Sequence, residues 1–561
     1  MQNQKRLIII LCFTLFLTSC SSAIVESINK VVANSTNQPG NGSAPIAGET
    51  LNSTSGAPEQ SSSAKAELYF GPSVPQEWKQ YAGDLLITDD SSRADLKIDL
   101  ASSEEGIQLA SFNRIYAVVA PFDTVTDGLS LQELQATWST GSITSPNFGQ
   151  LIMSEATYTV CNHFWGAPYE SVIRIVDPQS LVDELWKISD ALAIVPFEEI
   201  EPRFKVLKVD GISPLDRPMQ VDTYGLTISY HLTGTEAGEN LWKLEIDKLS
   251  SVIPATNRDE SKMAIVMMTG TTALARVTLK KIELNGYEYP IEQVKDWFLS
   301  ADLRHVSNEV AFMEGCEYTD AFTMQFCSKP DQIKVLENIG VNVVESTGNH
   351  VNDYPGDWFA NTLKMYQERG WLSFGGGINE EAALQPATTE VNGNKIAFIG
   401  CNPVGFETAW ATETRAGSAN CDYEWMNSKI TELKSQGYVV ITTFQAWEID
   451  RQMYDEYYRK IFKDAAAAGA DIVQGSQAHV PMGFEFVNNS LIHYGLGNFL
   501  FDQMEPHNIR EFYDRHIIYN GKYISTELLT ATLTDWSKPV PMKLKDRQAL
   551  LDEIFSASGM R

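Results

Sequence analysis

The feature that most restricts the fold is a repeated alternation in the second half of the chain. Short apolar runs at residues 263–268, 341–344, 395–400, 439–443 and 471–473 each stop at Gly or polar residues. Between them lie stretches with helical spacing of apolar side chains, at residues 332–338, 358–369, 423–436 and 454–468. Short apolar runs bounded by turn formers read as buried strands, and the longer periodic stretches as amphipathic helices. Their alternation predicts a layered α/β domain, in which chemistry gathers in the loops after strand C-termini. Those loops carry polar clusters at residues 269–272, 307–309, 346–350 with Asp353, 445–447, 475–479 and 495–498.

A second α/β region precedes this one, over residues 66–255, with the boundary placed where turn formers and charges interrupt the apolar pattern near residues 250–262. Residues 94–100 alternate apolar with charged side chains, and residues 115–121 and 191–196 read as strands. Ser130 and Glu133 stand at capping-box spacing before a helix through Trp138. Residues 116–121 with 129–134 resemble a piece of extracytoplasmic solute-binding domains of the phosphate-binding type, which implies a ligand cleft near Thr126 to Ser130. Between residues 66 and 250 there are 12 basic and 28 acidic side chains, which argues against a strongly anionic ligand unless a local pocket compensates.

At the start of the chain, Lys5 and Arg6 precede an apolar run over residues 7–17. It falls short of the roughly 20 residues of a membrane span and suits a signal peptide. The run ends in Leu17-Thr18-Ser19-Cys20, which resembles a bacterial lipobox and implies lipidation of Cys20. Residues 21–65, rich in Ser, Asn, Gly and Thr, have no apolar face and read as a disordered tether. Such a chain spans on the order of 40 Å. The expected location is the cell membrane, lipid-anchored on its extracytoplasmic face. Net charge is −29 in all, and neither half is basic, so nucleic acid is excluded as a partner. In an oxidising compartment Cys316 with Cys327, and Cys401 with Cys421, are candidates for local disulfides, leaving Cys161 odd.

Taken together, the loop motifs of residues 262–505 resemble the poly-γ-glutamate capsule biosynthesis family called CapA. Its anchors are Gly348-Asn-His-Val-Asn-Asp-Tyr354, similar to the family's Asn-Asn-His…Asp-Tyr-Gly, and Tyr494-Gly-Leu-Gly-Asn-Phe499, similar to its Ser-Leu-Gly-Asn-Phe. Arg276 fits the end of the first family motif, and residues 375–380 fit a following turn. The resemblance implies a calcineurin-like metallophosphatase fold over residues 262–540, a layered β-sandwich with flanking helices. It also implies a role in biosynthesis, export or attachment of an extracellular polymer, with the polymer or its synthesis machinery as partner.

The ligand set that the family would require is depleted. A two-metal hydrolase holds its cations about 3.5 to 4 Å apart with carboxylate, imidazole and amide ligands. Here Thr271 stands at the family's Asp, Ser307 at an Asn, Gln445 at a His and Ser476 at a second His. Neutral hydroxyls and amides bind divalent metals far less well than carboxylate or imidazole. Glu309, Asn349 and His479 survive and would hold at most one ion, Mn, Zn or Mg, or none if the site is fully degenerate. The resemblance makes His350 an acid or phosphate contact, with Asp353 orienting it, and leaves Arg276 and Asn498 as substrate contacts. Whether the site is catalytic stays open at the level of sequence. The alternative expectation is an extracytoplasmic solute-binding or receptor lipoprotein whose C-terminal domain is structural.

Overall fold

The computed structural model describes residues 65–101, 106–141, 148–236, 249, 252–320, 322–449 and 451–560; the leader, Cys20 and residues 21–64 lie outside the described residues. The first half is organised on the 15-residue strand Ile107–Pro121. It runs antiparallel to Thr227–Gly234, and through its second half also to Ala191–Pro196 and Phe204–Val209. From Thr227–Gly234 the sheet continues through Leu96–Leu100 and Glu67–Phe70, and from Ala191–Pro196 through Gln150–Met153 and Ile173–Ile175. One long strand thus joins two lobes of a single sheet. The capping box forms as its spacing requires: Ser130 Oγ accepts the Glu133 amide at 3.1 Å, and Glu133 Oε2 accepts the Ser130 amide at 2.7 Å.

In the second half two sheets face each other. The first runs Leu372–Phe374, Val343–Glu345, Leu303–Asn308, Met263–Thr269, Arg510–Tyr519, Lys522–Thr534 and Lys538–Pro541. The second runs Ala387–Val391, Asn394–Cys401, Val439–Phe444, Ile472–Gly475, Ser490–His493 and Phe484–Val487. Side chains alternate between two buried faces, which explains why residues 263–268 are apolar throughout. Ala264, Val266 and Met268 point into the space between the sheets with Ile396, Ile441 and Phe512. Ile265 and Met267 point the other way, into the core that also holds Ile282 and Leu336 of the helices Arg276–Asn285 and Ile333–Asn338. The helices Tyr423–Ser435 and Glu456–Ala468 cover the far face of the second sheet. This is the layered α/β architecture expected from the alternation, in the form of the β-sandwich with flanking helices that the resemblance implies, preceded by a separate α/β sheet.

The two halves meet across an apolar junction, where the Phe122 ring lies 5.4 Å from Phe484 and 5.1 Å from Phe486. Beside it Asp127 pairs with both Lys205 and Arg547 at 2.8 Å. Both cysteine pairs close, Cys316 with Cys327 and Cys401 with Cys421, while Cys161 is a buried free thiol that burial pushes up to about 12.

Between the sheets lies a polar layer that the apolar pattern conceals. His493 Nδ1 donates to Asp514 at 2.6 Å, and Gln474 Nε2 donates to Asp514 at 2.8 Å and to His516 Nε2 at 3.2 Å. His516 Nδ1 in turn donates to Thr526 at 2.7 Å. The imidazole of His516 is therefore neutral, donating at one nitrogen and accepting at the other. Burial, more than the opposing pull of Asp514, lowers its pKa to about 4. Unfolding returns the ring to its ordinary value near 6.5, so the unfolded chain takes up the proton first. Stability from this group is complete above that value and falls as pH drops through 6.5 towards 4, by about 3 kcal/mol. Denaturant midpoints measured across this range for the wild type and His516→Asn should diverge with that sign; parallel curves would show that His516 does not titrate on unfolding.

Candidate functional site

Every sequence-predicted cluster of the second half lies where a strand of one of the two sheets ends. Met263–Thr269 delivers Thr271, Leu303–Asn308 delivers Glu309, Val343–Glu345 delivers Asn349 and His350, Val439–Phe444 delivers Gln445, and Ile472–Gly475 delivers Ser476 and His479. The loops come together because glycines remove the side chains that would separate them. A Cβ on Gly270 would stand 1.9 Å from the Gly497 carbonyl oxygen, and one on Gly475 2.0 Å from that of Tyr494. A Cβ on Gly348 would meet the Glu309 carbonyl at 2.4 Å.

Gln445 occupies the middle of the cluster and is wholly buried. Its Nε2 donates to Glu309 Oε1 at 3.3 Å, to Asn349 Oδ1 at 3.3 Å, and to Gln477 Oε1. Its Oε1 accepts from the Ser476 hydroxyl at 2.8 Å and the Thr347 hydroxyl at 3.4 Å. Donors on one side and acceptors on the other fix the amide in one orientation. The nitrogen thus faces the two oxygens that a cation would otherwise contact.

Thr271 and Ser476 are bound into the same frame. Thr271 Oγ1 donates to the Ser476 carbonyl at 2.5 Å, and the single Ser476 hydroxyl proton is shared between Gln445 Oε1 and Glu345 Oε1, each at 2.8 Å. Glu345 is a member that the sequence reading missed; its signal was an acid ending an apolar strand run. Burial alone would push its carboxyl up, but the nearby His305 imidazole and the hydroxyls of Thr347 and Ser476 outweigh that and hold it below its ordinary value.

His350 stands at the edge of this cluster. Its Nδ1 donates to Asp353 Oδ2 at 2.8 Å, and the same oxygen accepts the Phe326 amide at 2.8 Å. The Phe326 ring packs 4.1 Å from the imidazole. Asp353 therefore fixes the ring and leaves Nε2 as its outward nitrogen. Burial lowers the imidazole pKa, yet the Asp353 bond and the Glu309 charge prevail and raise it. His479 is held in the same manner, its Nδ1 donating to Asn498 Oδ1 at 2.8 Å.

Arg276 and Asn498 are occupied by the protein itself. The Arg276 Nε donates to Asp502 at 2.9 Å and its Nη1 to the Thr323 carbonyl at 3.1 Å, while the guanidinium carbon lies 4.5 Å from the Phe326 ring centre. Asn498 Nδ2 donates to Gln503 and to the Asn508 carbonyl, both at 3.1 Å. Both side chains brace the loops around His350 and His479.

The donor chemistry does not fit a two-metal centre. Glu309 and Asn349 face an amide nitrogen, and Thr271, Gln445 and Ser476 contribute neutral groups already bonded to one another. Among the described residues no group of three or more His, Cys, Asp or Glu side chains is disposed to hold a metal ion. The arrangement supplies instead a positioned imidazole beside a hydrogen-bonding floor of amides and hydroxyls that also holds the carboxylates of Glu309 and Glu345.

Residues 265–503 match the family model described as bacterial capsule synthesis protein PGA_cap. The chain is 24% identical over 266 residues to the capsule biosynthesis protein CapA of Bacillus anthracis, covering 46% of this chain and 64% of that one. It is 27% identical over 238 residues to the PGA biosynthesis protein CapA of Bacillus subtilis (strain 168), covering 42% and 62%. It therefore spans less than two thirds of the length of either relative. Among solved structures, an ABC-type phosphate transport receptor from Vibrio cholerae aligns at TM-score 0.28 and 11% identity, over 34% of this chain and 94% of that one. The NAD nucleotidase of Haemophilus influenzae aligns at TM-score 0.31 and 11% identity, over 53% and 63%.

If Gln445 is the keystone of the cluster, Gln445→Leu removes the side-chain donor that reaches the buried carboxylate of Glu309 and lowers stability by about 1–3 kcal/mol. Chemical denaturation measures this, and an unchanged midpoint in metal-free buffer would show that the amide holds nothing together.

Proposed function

From the match of residues 265–503 to the family model described as bacterial capsule synthesis protein PGA_cap, we propose that this chain acts in biosynthesis, export or attachment of a poly-γ-glutamate type surface polymer. The protein is held at the extracytoplasmic face of the membrane by a lipid on Cys20, and its C-terminal site binds polymer or synthesis machinery without a two-metal centre. The observation that carries this reading is the position of Gln445. Its amide nitrogen lies 3.3 Å from both Glu309 and Asn349, where a catalytic relative of this fold would need positive charge.

What the site retains is suited to recognition of amide-linked, acidic chains. Gln445, Gln477 and Asn349 present amide groups around a buried floor, and His350 offers Nε2 as an acceptor when neutral or, when protonated, as a cationic donor. A carboxylate of the polymer would meet His350 as its closest counter-charge, because the Arg276 guanidinium is already paired with Asp502.

Metal analysis of the dialysed protein, together with phosphodiesterase and γ-glutamyl hydrolysis assays, tests the proposal. We expect sub-stoichiometric Mn, Zn and Mg, no turnover, and retention of poly-γ-glutamate that weakens in His350→Ala. A stoichiometric metal with turnover abolished by His350→Ala would sink it.

A further inference from the structure

The first half of the chain contains a cleft that the capped turn near Thr126 to Ser130 does not line. It has a volume of about 390 Å³ and is walled by residues 72–77 after the strand Glu67–Phe70, by Arg114 and Tyr116 of the long strand, and by Ser154 to Thr157. Both lobes of the sheet therefore contribute a wall, with the long strand as the floor.

Arg114 is the key group. It is only 5% exposed, and it lines the cleft. Its Nη1 pairs with Glu77 at 3.2 Å and its Nη2 with Glu198 at 2.7 Å. Its buried Nε has no hydrogen-bond partner among the described residues. A buried guanidinium N–H left unmade is costly, and a ligand oxygen is the natural remedy. Nearby, Ser154 caps the 11-residue helix Glu155–Trp165, whose first turn also lines the cleft. The first amides of a helix lack intrahelical acceptors and carry the positive end of its dipole.

Charge decides the ligand class. Arg114 is the one cation among the described lining residues, against the carboxylates Glu77, Glu155 and Glu199. Burial, with help from Glu198 and Glu77 and against Arg114, raises Glu199 to about 7. A phosphate would find a guanidinium already paired with two carboxylates and a surplus of acid. A simple diamine would meet the buried guanidinium and the positive end of the helix. A molecule with both charges satisfies both sides.

We propose that this cleft binds a small zwitterion, an amino acid or short peptide, with its carboxylate on Arg114 Nε and the start of the helix at Ser154, and its ammonium on Glu199 and Glu77. The site is independent of the C-terminal cluster, and so is its test. Isothermal titration of the full-length chain with L-glutamate, D-glutamate, glycylglycine, inorganic phosphate and putrescine reads the class directly. At least one of the first three should bind at one site per chain, with affinity falling roughly tenfold or more in Arg114→Gln. Glu199→Gln, at a half-buried position that leaves the Arg114 pairs in place, should weaken the same ligand while keeping the wild-type melting temperature. Phosphate binding that depends on Arg114, putrescine binding that depends on Glu199, or no binding by any probe would overturn the proposal.

Discussion

The C-terminal cluster rests on backbone meeting backbone. Gly270 against Gly497, Gly348 against Glu309 and Gly475 against Tyr494 are contacts in which any Cβ would lie within 2.4 Å of a carbonyl oxygen, a separation that forces the chain to move. These contacts draw the strand-end loops to a common centre before any side chain is considered. Within that frame the neutral side chains of Thr271, Gln445 and Ser476 bond to one another and to the backbone. Fold and chemistry are separable here because different atoms carry them.

That separation explains what was legible in the sequence. The strands at residues 395–400 and 439–443 and the helices at 358–369 and 423–436 were visible because burial on two faces writes long apolar or periodic runs. Asn394–Cys401, Val439–Phe444, Trp358–Glu368 and Tyr423–Ser435 follow those patterns within a residue or two at each end. The loop clusters were visible as polar residues at strand ends. Arg276 was harder to read, because nothing local announces that Asp502, more than two hundred residues on, takes its guanidinium. Glu345 and the His516 layer were hidden for a related reason: a polar residue inside an apolar run shows its partners only once sheets stack.

The first half illustrates the same limit with charge. Its excess of acid argued against an anionic ligand as an average over the region, yet a cleft is a local object. Arg114 is paired, buried and still one hydrogen bond short, a combination no count of charges reveals. The long strand that carries it also forms the bridge between the lobes, so the cleft floor and the lobe connection are one element.

The two disulfides lie at the rim of the C-terminal site, Cys401 as the last residue of the strand Asn394–Cys401 and the other three cysteines outside the strands. Cys316–Cys327 closes the loop whose Phe326 packs on His350, and Cys401–Cys421 closes the segment in which Asn402 donates to the Thr347 carbonyl at 2.8 Å. The rest of the two sheets is held by burial and hydrogen bonding. The rim needs in addition an electron acceptor during maturation, which makes the finished shape of this site conditional on the compartment where the chain folds.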